Sequence, residues 1–455
     1  MTRYSPVLPA ERHPDLLSEA YMITRLPGSL GYLQEGLRVF QMPREKMLLY
    51  QADKYRRLIR YAYAHTVYYR RVFDEIGLFR DGKLLEDRLP AIPVLTKEIL
   101  REEQKNLLSD EIMRRKPYSA STSGSTGIPL TLWYDRHYKS CNQADKMLMG
   151  ILNGRDLGQP ELKMWFRDFD RYRKNGKDKD RFFDFFTNRS FCLASDISEE
   201  ALVRYIETIN RVRPVQIWSN PAPVYEIAKY VLHHGTAVHP PVSILLTAGP
   251  LYDEMRRTIR QAFPETYVVS QYGMTEFGIV ACGIREEESL RVFTHSVIAE
   301  VETAPGVLRP DGSGEIVVTG LNNYSMPLIR LKTGDYVTAL PFGSEKEGSF
   351  PSLSEVRGRN LSMLRRRDGS FISGLFLRDI FTRPFIRTFR LVQHSYEDLE
   401  ALVVPEGPPE EHSAEYRAIA ARLGELVGTE CRFTFCDTIP MEKTGKYHYI
   451  RSEIK

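Results

Sequence analysis

The stretch PVQIWSNPAPVYEIAKYVLHHGTAVHPPVSILLTA, residues 214–248, alternates short apolar segments with a longer amphipathic one. VQIWS and VSILL are typical of buried strands, whereas PVYEIAKYVLHH has its apolar residues at helical spacing. The alternation continues on both sides, with LKMWF near Leu162 and ALVRYIETINRV before it, and YDEMRRTIRQAF and ETYVVSQYG after it. Strands and helices in turn predict an α/β fold with a parallel sheet and helices on its faces.

The regions around this alternation have other patterns. Residues Arg44 to Gly77 carry apolar side chains at helical spacing, which predicts one or two core-facing helices. From Arg291, the segments VFTHSVIAEV, GEIVVTG and DYVTAL are separated by Gly and Pro turns. They predict an antiparallel sheet or barrel appended to the first region.

The last hundred or so residues, from Gly358, predict a small α+β unit, within the usual size range of a domain. The basic run and DG turn between Arg365 and Gly369 indicate a hairpin. FRLVQHSYEDLEALVV indicates two more strands, and EEHSAEYRAIAARLGELVG is an amphipathic helix.

Composition limits the classes of function. The chain has 455 residues, which suggests at least two domains, and its 42% hydrophobic and 27% charged residues are those of an ordinary globular protein. The net charge of +4 does not indicate a nucleic-acid partner, and the basic run from Arg171 is interpreted as a solvated loop. No apolar run approaches the roughly 20 residues that span a bilayer, and the N-terminus lacks a secretory signal, so we expect a cytoplasmic protein without a membrane partner.

The five cysteines, at positions 141, 192, 282, 431 and 436, follow no metal-binding or disulfide-framework spacing. Cys282 and His295 could share a metal with residues that the sequence does not identify. A buried thiol and a hydrogen-bonded histidine are the favoured interpretation.

The loop STSGSTGIPL, residues 121–130, has three possible roles: a linker, a turn, or an anion-binding loop. It precedes the β-prone segment TLWYD, which argues against a linker. Ile128 stands where a Walker motif requires lysine. The loop's backbone N–H groups and hydroxyls, narrowed by Gly124 and Gly127, could wrap a polyphosphate, although such a loop alone is more often a turn.

Five segments occur in the order of the signature motifs of adenylate-forming enzymes: TSGSTGIP from Thr122, SQYGMTE from Ser270, LKTGD from Leu331, Gly358-Arg359, and TGK from Thr444. On these motifs the chain resembles the acyl-CoA synthetase superfamily, over about Ser119 to Lys446. The segment MPLIRLKTGD and the chain length most resemble the branch of phenylacetate-CoA ligase and CapK.

This resemblance implies the adenylate-forming enzyme fold. Residues 1–358 form a large adenylation domain with mixed α/β sheets and an antiparallel strand region, and residues 359–455 form a small mobile α+β lid. The hinge lies within Gly358 to Ser362, where Ser362 replaces the acidic residue that relatives usually carry.

The resemblance also assigns the nucleotide site. The β- and γ-phosphates of ATP are held by Thr122, Ser123, Gly124, Ser125, Thr126 and Gly127. Gln271, Tyr272 and Gly273 belong to the nucleotide site, with Tyr272 stacked on adenine. Thr275 approaches the α-phosphate and Glu276 coordinates Mg²⁺, a hard cation suited to oxygen ligands. A strand-end tyrosine is otherwise commonly core, and an exposed glutamate commonly has no role.

The remaining nucleotide contacts come from four other segments. The resemblance places Gly249 and Pro250 in the adenine pocket, although relatives often carry a glutamate after the glycine of this segment, and Thr247 to Leu251 contains none. Asp335 accepts hydrogen bonds from the ribose hydroxyls, and Arg359 contacts ribose or phosphate. Lys446 brings its ammonium group to the α-phosphate and the reacting carboxylate.

The acid pocket is the least specified part of the site. Its candidates are Trp165, Phe166, Trp218, Tyr225, Gly273 and Phe277. Their aromatic character suits a ring or another flat apolar body, although core packing explains the two tryptophans equally well.

The sequence therefore predicts an acid-CoA ligase that uses ATP, Mg²⁺ and coenzyme A. Two alternatives stay open: an adenylate-forming enzyme with another acceptor (an amine, a carrier-protein thiol or another nucleophile), and a nucleotide-binding protein without activity. The presence of Lys446, Glu276 and Asp335 favours an enzyme. The early tyrosine-rich helices could be core or the face of a homodimer.

Overall fold

A computed structural model describes residues 28–122, 130–165, 185, 187–194, 198–249, 251–341, 351–359, 363–367, 371–373, 377, 380–381, 383–439 and 449–454. The predictions for Ser123 to Gly127, Phe166, Pro250, Ser362 and Lys446 lie outside the described residues.

The α-helices are α1 (Ser29–Val39), α2 (Arg44–His65), α3 (Val67–Glu75), α4 (Lys97–Glu102), α5 (Arg136–Leu152), α6 (Glu199–Val212), α7 (Pro221–His234), α8 (Asp253–Ala262) and α9 (Ser413–Val427). Short 3₁₀ helices span Glu86–Ala91, Ile112–Arg115 and Pro409–His412. The helical prediction for Arg44 to Gly77 corresponds to α2 and α3.

The strands in the first part of the chain are β1 (Phe79–Arg80), β2 (Lys83–Leu84), β3 (Tyr118–Thr122), β4 (Leu130–Tyr134), β5 (Glu161–Trp165), β6 (Arg189–Leu193), β7 (Gln216–Ser219), β8 (Ser243–Leu246), β9 (Tyr267–Met274), β10 (Gly278–Cys282) and β11 (Leu290–Val292). Those in the second part are β12 (Val297–Ala304), β13 (Val307–Arg309), β14 (Gly312–Gly320), β15 (Leu331–Ala339), β16 (Ser352–Arg359), β17 (Met363–Arg365), β18 (Phe371–Ser373), β19 (Ile386–Gln393), β20 (Leu399–Pro405), β21 (Cys431–Phe435) and β22 (Ile450–Ser452).

The predicted parallel sheet is present, in the strand order β6-β5-β7-β8-β9. Helices α6, α7 and α8 connect its successive strands β6, β7, β8 and β9. This is the α/β arrangement that the alternation of segments predicts. The edge strand β6, with the sequence RSFCL, was not predicted.

Both faces of the parallel strands are buried because neighbouring residues point to opposite sides. Ile217 and Ile244 pack with α6, α7 and α8 in one hydrophobic cluster. Trp218 and Leu245 pack with α1, α2 and α5 in another. Each fully buried aliphatic side chain contributes about 1.5–3 kcal/mol, so these two layers supply the main stabilisation of this region.

The antiparallel strands after Arg291 extend the same sheet and do not form a separate barrel. In the described part of the chain the sheet has the order β13-β12-β14-β15-β16-β11-β10-β9-β8-β7-β5-β6. Strand β11 joins the two halves by pairing with β10 on one side and β16 on the other. The joining contact brings together residues about 60 positions apart, such as Leu290 and Leu353, and the local pattern does not encode it.

Strands β3 and β4 form a hairpin that pairs residue by residue from Tyr118 with Tyr134 to Thr122 with Leu130. The serine- and glycine-rich segment therefore begins and ends at one strand pair. This excludes the linker interpretation. Asp135, directly after β4, begins helix α5 by accepting a hydrogen bond from the backbone N–H of Tyr138 at 2.7 Å.

The described residues divide into two compact units. One contains the chain up to Thr333 together with Val337–Glu355, and the other contains Gly334–Tyr336 and Val356–Lys455. Within the second unit, β21, β20, β19 and β22 form a sheet in that order, and β17 pairs with β18 as the predicted hairpin. Helix α9 packs Tyr416, Ile419 and Leu423 into this unit's core, at the helical spacing that its sequence shows.

No helix among the described residues is both long enough and apolar enough to cross a bilayer.

Candidate active site

The carboxyl ends of the parallel strands carry buried polar atoms that lack hydrogen-bond partners among the described residues. Two of these atoms, Trp218 Nε1 and Ser219 Oγ, are at the end of β7. The third is Gln271 Oε1 in β9, one residue beyond the last residue of β9 that pairs with β8. A buried polar atom left unpaired costs about 1–3 kcal/mol. Ligands of open α/β sheets bind at this edge, so a bound ligand would give these atoms their partners.

The next part of the edge is the hairpin between β9 and β10, where the segment QYGMTE lies. Gly278 has φ 74°, and a Cβ there would lie 1.9 Å from Asn142 Nδ2 of helix α5. A Cβ on Gly273 would lie 2.5 Å from the backbone oxygen of Gly278. The two glycines let this hairpin turn tightly against α5, which brings Thr275, Glu276 and Phe277 to one place.

The three residues of this turn differ in exposure. Thr275 is exposed, whereas Glu276 and Phe277 are buried. The Tyr134 hydroxyl donates a hydrogen bond of 2.5 Å to the backbone oxygen of Thr275, which ties the β3–β4 hairpin to the turn. Strand β4, which follows the serine- and glycine-rich segment in the chain, therefore contacts the turn through Tyr134.

The Glu276 carboxylate has no hydrogen-bond or ion-pair partner among the described residues, although the side chain is only 7% exposed. A cation would give this carboxylate a partner of opposite charge. Carboxylate oxygen is a ligand that Mg²⁺ prefers. The residue present therefore fits the magnesium ligand that the motif implies.

A small cavity lies beside Glu276 and Phe277. Its apolar wall includes Phe277, Gly320 and Leu328, and its polar wall includes Tyr138, Asn142 and Asp145. Gly320 is required at this wall, because a Cβ there would lie 2.9 Å from the Phe277 ring. Ser296 and Asn322 complete the polar side.

The polar side of the cavity is a buried hydrogen-bond network. Asp145 Oδ1 lies 2.7 Å from His295 Nε2, and Asp145 Oδ2 accepts a hydrogen bond of 2.8 Å from the Ser296 hydroxyl. Asn322 donates to Ser296 Oγ at 3.1 Å. Because the carboxylate only accepts, His295 Nε2 carries the hydrogen of this bond.

Lys54 from helix α2 belongs to the same network. The Lys54 ammonium group donates to Asn322 Oδ1 at 2.8 Å and to the backbone oxygen of His295 at 2.6 Å. It also forms an ion pair of 3.3 Å with Glu35. An ammonium group is thereby linked to the Asp145 carboxylate through two neutral side chains.

Burial sets the titration of the neutral groups in the cavity. It raises the pKa of the Cys141 thiol and raises the pKa of the Tyr138 hydroxyl well above its ordinary value. Both groups therefore keep their protons at neutral pH, and neither is poised as a nucleophile.

Two of the residues predicted for the acid pocket pack on opposite faces of the sheet. Trp218 packs on one face of the sheet and Tyr225 packs against the cluster on the other face. Tyr225 instead has its hydroxyl 3.3 Å from Glu254. Lys163 lies over the rings of Trp165 and Trp218, with its Nζ 4.9 and 4.5 Å from the ring centroids. Of the six candidates, Phe277 alone lines the described cavity, although Phe166 is outside the described residues.

Gly249 follows β8, and a Cβ there would lie 2.9 Å from Asn220 Nδ2 of the neighbouring strand end. It therefore lies at the same edge as Gln271. Tyr272 is buried in β9. The other predicted contacts are described by position: Thr122 ends β3, Asp335 lies in β15 and is half-buried, and Arg359 ends β16.

Cys282 and His295 have separate partners. Asn153 Nδ2 lies 3.9 Å from the Cys282 sulfur, and His295 bonds to Asp145. In the ranges that the structure describes, no group of three or more His, Cys, Asp or Glu side chains is arranged to hold a metal.

The network of Asp145, His295, Ser296, Asn322 and Lys54 was not predicted from the sequence. One signal was present: Tyr138, Asn142 and Asp145 recur at helical spacing and place polar groups along one side of the buried helix α5. The partners of Asp145 are 150 residues away in the chain, and no local pattern connects them.

No protein-family model matches the chain. The chain is 21% identical over 426 residues to protein CapK of Staphylococcus aureus, covering 89% of each. It is 24% identical over 315 residues to a phenylacetate-coenzyme A ligase of Thermus thermophilus, covering 65% of this chain and 66% of the relative.

Among solved structures, the chain is similar to 2-hydroxyisobutyryl-CoA ligase in a postadenylation state with a bound acyl adenylate. The TM-score is 0.70 at 16% identity, and the match covers 90% of this chain and 91% of the other. At this identity the similarity shows the fold. The fold is that of adenylate-forming ligases, as the sequence motifs imply.

Proposed function

The chain belongs to the adenylate-forming acyl-CoA synthetase superfamily, in the branch of phenylacetate-CoA ligase and CapK, and we propose that it converts an aromatic carboxylic acid into its coenzyme A thioester. The protein is an ATP-dependent, AMP-forming ligase that activates its acid as an acyl adenylate. The aromatic acid, the coenzyme A acceptor and the residue roles below are the proposed parts.

The reaction has two steps. In the first, a carboxylate oxygen attacks the α-phosphorus of ATP, the bond from that phosphorus to the bridging oxygen of pyrophosphate breaks, and the acyl adenylate forms. In the second, the thiol of coenzyme A loses its proton to solvent and its sulfur attacks the acyl carbon. The bond between that carbon and the AMP oxygen then breaks, and AMP leaves.

The protein's task in the first step is to position two anions that repel each other and to offset the charge that develops. Glu276 would hold Mg²⁺, which when bound screens the charge on the phosphate oxygens. Thr275 would face the α-phosphate. Lys446 would bring a positive charge to the oxygens between which the new bond forms.

The observation that carries this proposal is the set of buried, unpaired polar groups at the carboxyl ends of β7 to β9. Trp218 Nε1, Ser219 Oγ and Gln271 Oε1 lack partners among the described residues, and the Glu276 carboxylate lies at the same edge. A purely structural edge would have these groups paired or replaced by apolar ones. Nucleotide binding at this edge supplies hydrogen-bonding partners for them.

The aromatic character of the acid is supported by two curated relatives, which are phenylacetate-coenzyme A ligases. The coenzyme A acceptor is supported by the same two relatives, whereas the name of protein CapK specifies no acceptor.

The test is ATP–pyrophosphate exchange with a panel of aromatic and aliphatic acids. We expect exchange with at least one aromatic acid in the presence of Mg²⁺. Lys446→Ala should lower exchange by about 100-fold or more, the size of effect expected when a charge-stabilising group is removed, while ATP binding is retained. Lys443→Ala is the matched control, since that lysine is three residues away and outside the TGK motif.

The acceptor is tested by adding coenzyme A and following AMP and thioester. Thioester formation at the rate of AMP release supports the proposal. Accumulation of acyl adenylate without thioester contradicts the coenzyme A step, and leaves an amine or a carrier-protein thiol as the acceptor. Absence of exchange with every acid contradicts the proposed activity.

A further inference from the structure

The turn that carries Thr275 and Glu276 is closed by a long hydrogen bond. Met274 pairs with Gly278 across the β9–β10 hairpin, so Thr275, Glu276 and Phe277 form a three-residue loop. Inside this loop the backbone N–H of Phe277 donates to the Met274 oxygen at 3.3 Å, which is longer than an ordinary bond of this kind. A loop closed in this way leaves the orientation of the Glu276 side chain to contacts from outside it.

One such contact comes from Tyr134 at the end of strand β4. Its hydroxyl donates a hydrogen bond of 2.5 Å to the backbone oxygen of Thr275. Because the peptide bond is planar, a partner on this oxygen fixes the orientation of the whole peptide between Thr275 and Glu276. The Glu276 side chain starts at the next Cα atom, so the bond restricts where its carboxylate can lie.

The Tyr134 hydroxyl keeps its proton at neutral pH. The residue is 3% exposed, and burial, followed by the charge of the Glu276 carboxylate, raises the pKa of this hydroxyl above its ordinary value. The Glu276 carboxylate is therefore close enough to act on the hydroxyl. The protonated hydroxyl is the form that can donate to the Thr275 oxygen.

Tyr134 is itself fixed through its two neighbours in the chain. The backbone oxygen of Trp133 accepts a hydrogen bond of 2.9 Å from Asn323 Nδ2. The Asp135 carboxylate accepts the bond of 2.7 Å from the backbone N–H of Tyr138 at the start of helix α5. These two bonds hold the strand end from which the Tyr134 side chain projects.

The Tyr134 ring packs against two other tyrosine rings. The Tyr138 ring is stacked on it, with centroids 4.7 Å apart and 17° between the ring planes. The centroid of the Tyr118 ring, on strand β3, lies 5.4 Å away. Packed rings of this kind resist rotation, so the hydroxyl approaches the turn from a fixed point.

We propose that Tyr134 is a positioning residue for the adenylation step, and that its hydroxyl holds the peptide between Thr275 and Glu276 so that both side chains face the metal-bound triphosphate of ATP. The proposal rests on the proposed function, because it takes Thr275 to face the α-phosphate and Glu276 to hold Mg²⁺. Strand β4 follows the segment predicted to hold the β- and γ-phosphates. The bond thus ties the two phosphate motifs together.

The experiment compares Tyr134→Phe, which removes the hydroxyl and keeps the ring, with Tyr118→Phe. Tyr118 is directly opposite Tyr134 in the register of β3 and β4 and belongs to the same group of rings. Its hydroxyl has no hydrogen-bond partner among the described residues. We expect Tyr134→Phe to lower the kcat of ATP–pyrophosphate exchange by about tenfold or more, the usual effect of losing an outer partner of a metal ligand. Tyr118→Phe should retain the kcat.

Binding measurements separate positioning from a loss of folded protein. Titration calorimetry uses Mg²⁺ with an ATP analogue that has a methylene group between the α- and β-phosphorus. Tyr134→Phe should raise the Kd of this analogue about tenfold. Adenosine, which has no phosphate, should bind the same variant with an unchanged Kd. A variant that only unfolds more easily would lose binding of both ligands.

A double-mutant cycle tests whether Tyr134 acts through Glu276. In the Glu276→Gln background, Tyr134→Phe should lower the kcat by about twofold or less, because the carboxylate that it positions is already absent. A further tenfold loss in that background would show that Tyr134 acts independently of Glu276, and would overturn the proposal.

The other outcomes separate this proposal from the proposed function. If the unchanged protein exchanges pyrophosphate and Tyr134→Phe matches Tyr118→Phe, the positioning role is overturned and the ligase activity stands. Equal losses of adenosine and ATP-analogue binding in Tyr134→Phe also overturn the positioning role. Absence of exchange in the unchanged protein with every acid overturns this proposal and the proposed function together.

Discussion

The two ends of the parallel strands are built in opposite ways. At the amino ends, buried polar groups are paired: Glu161 at the start of β5 bonds to Arg189 at 2.9 Å and pairs with Arg155 at 3.0 Å. Gln216 at the start of β7 donates to Ser243 Oγ at 2.9 Å. At the carboxyl ends, Trp218, Ser219 and Gln271 carry buried polar atoms without described partners. Among the described residues, the polar groups named at the amino ends are paired within the chain, and those at the carboxyl ends would gain partners from a ligand.

The electrostatics of the amino end support this contrast. Burial acts to raise the pKa of the Glu161 carboxyl, and the guanidinium groups of Arg189 and Arg155 outweigh it, so that the pKa lies below its ordinary value. The charged form of Glu161 is therefore part of the folded state. Removal of the Glu161 carboxylate would leave the buried guanidinium groups of Arg155 and Arg189 without their partner.

The largest expected effect is on stability at the amino end. Glu161→Gln should lower the free energy of unfolding by about 3–5 kcal/mol, because two buried guanidinium groups lose their carboxylate. Urea unfolding measures this. Glu226→Gln, which removes an ion pair on the exposed face of α7, is the control and should cost about 1 kcal/mol or less. A cost for Glu161→Gln no larger than the control would contradict the pairing described here.

The next effect is on activity at the carboxyl end. Glu276→Gln should lower pyrophosphate exchange by about 100- to 1000-fold, since a neutral amide is a weak ligand for Mg²⁺ and offsets no charge. Its free energy of unfolding should change little or rise, because the carboxylate has no described partner to lose. Glu286→Gln, exposed in the loop after β10, should retain exchange. Equal activity of the two variants would remove Glu276 from the site.

A smaller effect is expected at the hairpin that positions Glu276. Gly278→Ala places a Cβ 1.9 Å from Asn142 Nδ2, and this overpacking should cost about 1–3 kcal/mol of stability. A second cost arises because alanine is strained at the positive φ of this position. Gly306→Ala isolates that second cost, because Gly306 has nearly the same φ, 75° against 74°, and nothing within 4 Å of its Cβ position. If both variants lose the same stability, the contact with α5 is not tight.

The smallest expected effect is on stability, because substitution of two buried glutamines should change the free energy of unfolding in opposite directions. Gln216→Met should destabilise by about 1–3 kcal/mol because Ser243 loses its partner, whereas Gln271→Met should be neutral or stabilising because it removes an unpaired polar group. Urea unfolding of both variants measures the difference. Destabilisation of both by the same amount would show that Gln271 is paired within the chain.

The order of elements could be predicted from the sequence because each depends on local pattern. Short apolar runs give β7 and β8, whose neighbouring residues Ile217 and Trp218 are both apolar because they pack on opposite buried faces, and the helical spacing of apolar residues gives α7. The DG turn gives the β17–β18 hairpin. Strand β6 was missed because an edge strand of mixed polarity carries little of this signal.

The pairing of β11 with β16 and the Asp145 network were not predictable in the same way. Both join segments that are far apart in sequence. The residues next to Ser296 and Asn322 in the chain form no pattern that predicts their hydrogen bonds in the Asp145 network. For the site, the predicted magnesium ligand Glu276 and the predicted pocket residue Phe277 line one cavity, but aromatic character alone did not distinguish them from a residue such as Trp218, which packs in a hydrophobic cluster. Aromatic side chains pack in cores and in pockets for the same physical reason.

The most direct test of the central claim is AMP binding to Gln271→Met and Gln216→Met, measured by titration calorimetry against the unchanged protein. If the nucleotide binds where the carboxyl ends of β7 to β9 leave polar atoms unpaired, Gln271→Met should raise the Kd about tenfold, the effect of one lost buried hydrogen bond, and Gln216→Met should leave it unchanged. Equal affinity of both variants for AMP would place the nucleotide elsewhere.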